Sequence, residues 1–255
     1  MYRYFMEISY RGTAYHGWQV QPDASSIQGL ITHALSVLMR REIALTGAGR
    51  TDAGVHARQT FAHFDLPEPV ASLPDLVYRL NAFLPGDILI KDIFPVRENA
   101  HARYDAVSRS YEYRVYLGKN PFGTGLEWQW RGAEPDTGRM NAAAALLPGY
   151  SDFKAFSRSH TDVKTYICKL TDSRWVREGN RLTYYVTADR FLRNMVRAIT
   201  GTLWDTGLGK IDLERFKAIV ESRDRRLAGP SAPAAGLYLS RVEYDWNKIR
   251  LPAGN

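Results

Sequence analysis

The chain has a single cysteine, Cys168, among its 255 residues. That excludes an intramolecular disulfide and a zinc cage built on several cysteines, and it fits a reducing compartment. Long apolar runs are missing as well: no segment approaches the roughly 20 apolar residues that a helix needs to span a bilayer. The opening Met1-Tyr-Arg-Tyr-Phe-Met-Glu7 sets an acid where a secretion signal would need an apolar stretch. A soluble, cytoplasmic protein with no membrane partner is the expectation. The common phosphate loops are also lacking. Gly47 and Gly49 could begin a dinucleotide fingerprint, but its third glycine would fall on Asp52, and no Gly-Lys pair is followed by Ser or Thr as a Walker A loop requires.

What the chain does have is an excess of positive charge. Its formal net charge is +7 and its isoelectric point is near 9.5, which favours a polyanionic partner, nucleic acid first. The bases are scattered among acids instead of gathered into a tail. An apolar content of 45% suffices for a real core, and the length allows one large domain or two ordinary ones.

Alternation and helical spacing outline the fold. Residues 2–10 alternate and are rich in aromatics, so they read as a strand. Ser25 and Ser26 offer a cap to a helix over 27–40, with Ile27, Leu30, Ile31, Ala34, Leu35 and Leu38 as its apolar stripe. Residues 43–46 and 58–65 are extended segments, and the glycine-rich stretch between them is a loop. Ser72 and Asp75 stand at capping-box spacing around Pro74 and open a second helix, which Pro85-Gly86 ends before a strand over 88–94. The order β-α-β-β-α-β is the ferredoxin-like split arrangement.

The polar run 99–106 marks a boundary, giving domains 1–105 and 106–255. In the second, 109–117 is a strand with Tyr111, Tyr113 and Val115 on one face. A short helix follows over 140–147, then a hairpin of 166–177 and 182–187 turning at Glu178-Gly-Asn-Arg181. Helices over 191–204 and 213–221 and a strand over 237–244 complete an α+β fold. Strand alternation around Cys168 makes it a small buried hydrophobe. On the first of those helices Arg190, Arg193 and Arg197 line one side. Arg223, Arg225 and Arg226 read either as a solvated helix end or as a phosphate-contacting patch.

One stretch concentrates the chemistry: Gly47-Ala-Gly-Arg50-Thr51-Asp52-Ala-Gly54-Val-His56-Ala-Arg58. A lone acid sits among bases, and glycines let a ligand approach the main chain. Taken alone it fits a surface turn capped by Thr51 or Asp52 equally well. His56 stands four residues after Asp52, which makes a metal pair conceivable, but no third ligand is near at useful spacing, and no metal is expected.

Residues 49–57, GRTDAGVHA, resemble the catalytic motif of the tRNA pseudouridine synthase A family. Four further blocks match in the family's order: 10–19 (YRGTAYHGWQ), 108–113 (SRSYEY), 191–197 (FLRNMVR) and 236–239 (GLYL). The resemblance covers essentially the whole chain. It implies two α/β halves with mainly antiparallel sheets joined side by side around a basic cleft. It also implies a cofactor-free isomerase acting on uridines of the tRNA anticodon stem-loop around positions 38 to 40, and a homodimer in which one tRNA touches both subunits.

By the same resemblance Asp52 is the nucleophile, attacking either the sugar C1′ or the base C6; a carboxylate suits the task because it is anionic at neutral pH without special tuning. Arg197 is implied as its ion-pair partner and Tyr111 as the ring that stacks on the target base, with Tyr113 a core residue. Arg50, Arg58, Arg109 and Arg193 are the expected RNA contacts. Two rivals from other classes stand beside this reading: a non-catalytic RNA-binding module, and a metal-dependent nuclease using Asp52 and His56.

Overall fold

The computed structural model describes residues 1–158 and 163–251. Its contacts divide the chain into one unit of Met1–Val107 with Leu239–Asn255, and a second of Ser108–Tyr238. The last strand, from Leu239 on, therefore belongs with the first unit, whereas a division at 105/106 puts it with the second. Both units mix helices with mainly antiparallel strands, an α+β fold.

In the first unit, strands β1 (Tyr2–Tyr10), β2 (Thr46–Gly47), β3 (His56–Leu66), β4 (Ile88–Val96) and β9 (Leu237–Tyr244) alternate with helices α1 (Ile27–Met39) and α2 (Leu73–Phe83). The order across the sheet is β4-β1-β3-β9, with β2 also on β3. β1 runs antiparallel to both neighbours, so Phe5 lies opposite His63 on one side and Phe94 on the other. On that face the rings of Phe5, Phe61 and Tyr244 meet edge to face at 5.3 to 5.5 Å. Both helices start where the caps predict: Ser26 Oγ accepts from the Gly29 amide, and Ser72 Oγ from that of Asp75.

In the second unit, β5 (Ala106–Leu117), β8 (Arg181–Ala188) and β7 (Leu170–Glu178) lie in that order, all antiparallel, and a short β6 (Trp128–Trp130) joins β5 in parallel. The hairpin turns at Gly179-Asn180, with Gly179 at φ +59°, the positive value that the first turn position of a type II′ hairpin takes. Helices α3 (Thr137–Ala144), α4 (Met195–Gly207) and α5 (Leu213–Ser222) complete it, with a closing α6 (Trp246–Ile249) back in the first unit.

Several elements differ from the sequence reading: α3 covers Thr137–Ala144 where a helix over 140–147 is expected. The long helix begins at Met195, not at residue 191, because Asn194 takes a left-handed conformation, φ 66° and ψ 1°, which no α-helix continues through. Strand β6 went unread because three residues are too few to show a period. The first hairpin strand starts at Leu170 instead of Tyr166; Ile167 forms only an isolated bridge to Asp152. Cys168 is fully buried, and burial pushes its thiol up to about 12, so it packs as a small hydrophobe. Among the described residues no helix is long and apolar enough to cross a membrane.

Candidate active site

Asp52 sits in a loop between β2 and β3 whose main chain is pinned from both sides. The Ala48 amide donates to the Phe61 carbonyl at 2.7 Å, and the Val55 amide closes a turn onto the Asp52 carbonyl at 3.2 Å. Gly54, third in that turn, has φ +77°, the sign that a type II turn demands there. The other partners come from the end of β1 and the segment after it. The Tyr10 hydroxyl shares a hydrogen bond with Thr51 Oγ1 at 2.8 Å. The Trp18 amide donates to the Thr51 carbonyl and the Gly54 amide to the Tyr15 carbonyl, both at 3.2 Å. The Gly12 amide donates to His56 Nδ1 at 3.1 Å. Two blocks apart in sequence, 10–19 and 47–58, thus form one structure around the half-buried residue Asp52.

The fit is tight. Gly17 has φ +91°, and a Cβ there would collide with the Thr51 carbonyl oxygen, so only glycine lets the two segments touch. Tyr15 is buried and donates its hydroxyl to Asp87 Oδ1 at 2.5 Å; burial first, and Asp87 second, raise its pKa. His56 is fully buried, and its Nδ1 accepts the Gly12 amide, so it serves the scaffold. No group of three or more His, Cys, Asp or Glu able to hold a metal ion occurs among the described residues. Arg50 is exposed, with its Nε donating to Gln19 Oε1 at 3.1 Å, and Arg58 is exposed on β3.

The remaining expected residues lie in the second unit. Tyr111 is half-buried on β5 opposite Val186, and its ring meets Phe191 edge to face at 5.0 Å. Tyr113, two residues on, is fully buried, with its hydroxyl donating to the Pro233 carbonyl at 2.8 Å; it is a core residue. Arg109 donates from Nη1 to the Asp189 carbonyl at 2.8 Å.

Arg197 is half-buried in the first turn of α4 and doubly tied to Ala232: its Nε donates to the Ala232 carbonyl at 2.7 Å, and its own carbonyl accepts the Ala232 amide at 3.0 Å. Arg193 is exposed and precedes the helix, its carbonyl accepting the Arg158 amide. Arg190, Arg193 and Arg197 therefore do not form one helical stripe; their spacing of three and four mimics a period that the left-handed Asn194 interrupts. Sequence reading missed Ala232 and its neighbours, since a backbone carbonyl acting as an acceptor leaves no mark on residue type.

The residues match known proteins as follows. The family model for tRNA pseudouridine synthase matches residues 143–245. The tRNA pseudouridine synthase A of Porphyromonas gingivalis is 50% identical over 247 residues, covering 96% of this chain and 98% of that protein. The chain belongs to the tRNA pseudouridine synthase family. It is 46% identical to the synthase A of Parabacteroides distasonis, covering 96% of each chain. With the synthase A of Bacillus subtilis the identity is 38%, covering 93% of this chain and 97% of that one. Membership makes this enzyme an isomerase, a pseudouridine synthase. The relatives cover both the Asp52 loop and α4, whereas the family model begins after Tyr111.

Proposed function

We propose that this enzyme converts uridine to pseudouridine in tRNA, in the anticodon stem-loop around positions 38 to 40, with Asp52 as nucleophile and no cofactor. The observation that carries the reading is the rigid mounting of Asp52: bonds to Thr51, Gly54 and His56 fix the main chain on both sides of one half-buried carboxylate. Precise aim of this kind serves a reacting group more than it serves a surface turn.

The chemistry needs little else. The bond from N1 of the base to C1′ breaks, the base turns, and C5 bonds to C1′; C5 gives up its hydrogen as a proton and N1 ends with one, so no co-reactant is consumed. The carboxylate supplies a transient covalent adduct, at C1′ or at C6, while the base reorients. Arg197 is the ion-pair partner that orients it. A guanidinium tethered through Nε has a defined plane, and a planar fork holds a carboxylate in a geometry that lysine cannot impose.

Tyr111 stacks on the everted base. Such stacking is worth about 1–3 kcal/mol, enough to offset much of the few kcal/mol spent in extracting a nucleotide. Arg50 and Arg58 contact the RNA backbone or fill the place that the everted base leaves, and Arg109 and Arg193 also bind the RNA, in keeping with the net charge of +7. The enzyme works in the cytoplasm as a homodimer, each tRNA touching both subunits; a surface that reads RNA shape needs more area than one small site offers.

The deciding experiment is Asp52→Asn, assayed with tRNA carrying tritium at uridine C5. Tritium release should disappear while tRNA binding persists. Retained turnover would remove Asp52 from the mechanism.

A further inference from the structure

Of the three arginines after α5, two are satisfied by acids: Arg223 Nε meets Asp152 Oδ2 at 3.0 Å, and Arg226 grips Asp224 in its own turn at 2.6 Å. Arg225 turns inward. Its Nη1 donates to the carbonyls of Ala228 and Gly229 at 3.4 and 3.1 Å, and its Nη2 to Ser231 Oγ at 3.0 Å. All three acceptors are neutral, and among the described residues no carboxylate is paired with it. Withdrawing a guanidinium from water without an acid is unfavourable, so what the three bonds hold is the question.

They hold a strap, residues 228–232, against α4. The Gly229 amide donates to Thr202 Oγ1 at 2.9 Å. A Cβ on Gly201 would overlap the Pro230 carbonyl oxygen, so helix and strap touch backbone to backbone. Ser231 Oγ also takes a hydrogen bond from Asn194 Nδ2 at 2.6 Å. The next residue is Ala232, whose carbonyl receives Arg197 Nε. Arg225 thus fastens a five-residue strap at Ala228, Gly229 and Ser231, and the strap's last residue, Ala232, sets the guanidinium of Arg197.

We propose that Arg225 is a positioning residue, which fixes the strap so that the Ala232 carbonyl holds Arg197 in its working orientation. This rests on the reading of Arg197 as the partner of the nucleophile. The test is a double-mutant cycle on the full-length enzyme with tRNA, using Arg225→Gln, Arg197→Lys and the pair, with kcat, KM and thermal midpoint for each.

Arg225→Gln should lower kcat about 10- to 100-fold, the scale of a misaimed group, with KM changed less than about threefold. Added to Arg197→Lys it should cost no further kcat beyond about twofold. Equal losses in both backgrounds, or a loss confined to KM or to the midpoint, would overturn the proposal. Should Arg225→Gln not fold, Arg225→Lys and Ser231→Ala replace it with the same expected pattern, since one ammonium cannot serve three forked acceptors. Full kcat in Arg197→Lys would instead refute the role of Arg197, and the proposal with it; a large loss there beside an unchanged Arg225→Gln refutes the proposal alone.

Discussion

Tyr15 and Asp87 share a 2.5 Å hydrogen bond, and through it the turn before β4 reaches the Asp52 loop, because the Tyr15 carbonyl accepts the Gly54 amide. Together they brace the main chain two residues beyond Asp52.

Tyr15→Phe should therefore cost stability and catalysis together. Loss of a hydrogen bond to a charged group is worth about 1.5–3 kcal/mol, read as a lower urea midpoint at constant slope. The kcat should fall more than KM changes, as the turn around Asp52 loosens. An unchanged midpoint would mean that Asp87 contributes nothing through Tyr15.

Arg50 makes a different kind of contribution. It is exposed and steadied by Gln19, so Arg50→Ala should weaken tRNA binding by removing one phosphate contact. The slope of log affinity against log salt should become shallower by about one, measured by filter binding across a salt series. An unaltered slope would rule out a phosphate contact.

Stability should depend on pH through His63. Its ring is buried against His101 at 4.7 Å, and its Nδ1 accepts the Ala102 amide. Burial first, and the charge of Arg3 second, lower its pKa to about 4. An unfolded histidine takes up a proton near 6.5. Between those values the unfolded chain binds more protons, so stability is full above about 6.5 and declines as pH falls toward 4.

The slope from one such site is at most about 1.4 kcal/mol per pH unit. His101, whose pKa burial also lowers, acts with the same sign, and Asp65, held down by Arg3, adds its loss below the ordinary carboxylate range. Urea midpoints between pH 4 and 6.5 should be flatter for His63→Gln than for the parent; parallel curves would assign the effect elsewhere.

The elements that sequence made legible are those governed by local rules. Ser26 and Ser72 cap the helices that they announce, and residues 2–10 and 237–244 form the strands that their patterns describe. The start of α4 was hidden because Asn194 looks like any polar helix residue, and only its left-handed backbone separates Arg193 from Arg197. The glycines and bases around Asp52 were visible at once, yet the cradle beneath them was not. It is made of main-chain and side-chain bonds from residues 10–18, and such bonds depend on where two distant segments meet. Arg225 illustrates the same limit: three similar arginines stand in a row, and only the direction each side chain takes tells the brace from the two solvated pairs.

The return of β9 to the first unit sets a schedule for biosynthesis. β3 and its neighbours leave the ribosome early, but the strand that lies beside β3 is made only after the whole second unit. At about 5–20 residues per second, the part of that β3 flank which the two-residue β2 does not cover stays open for several seconds or more while later segments are translated. A ribosome that stalls before residue 237 releases a product with an open sheet edge, the kind of surface on which chaperones act and nascent chains aggregate.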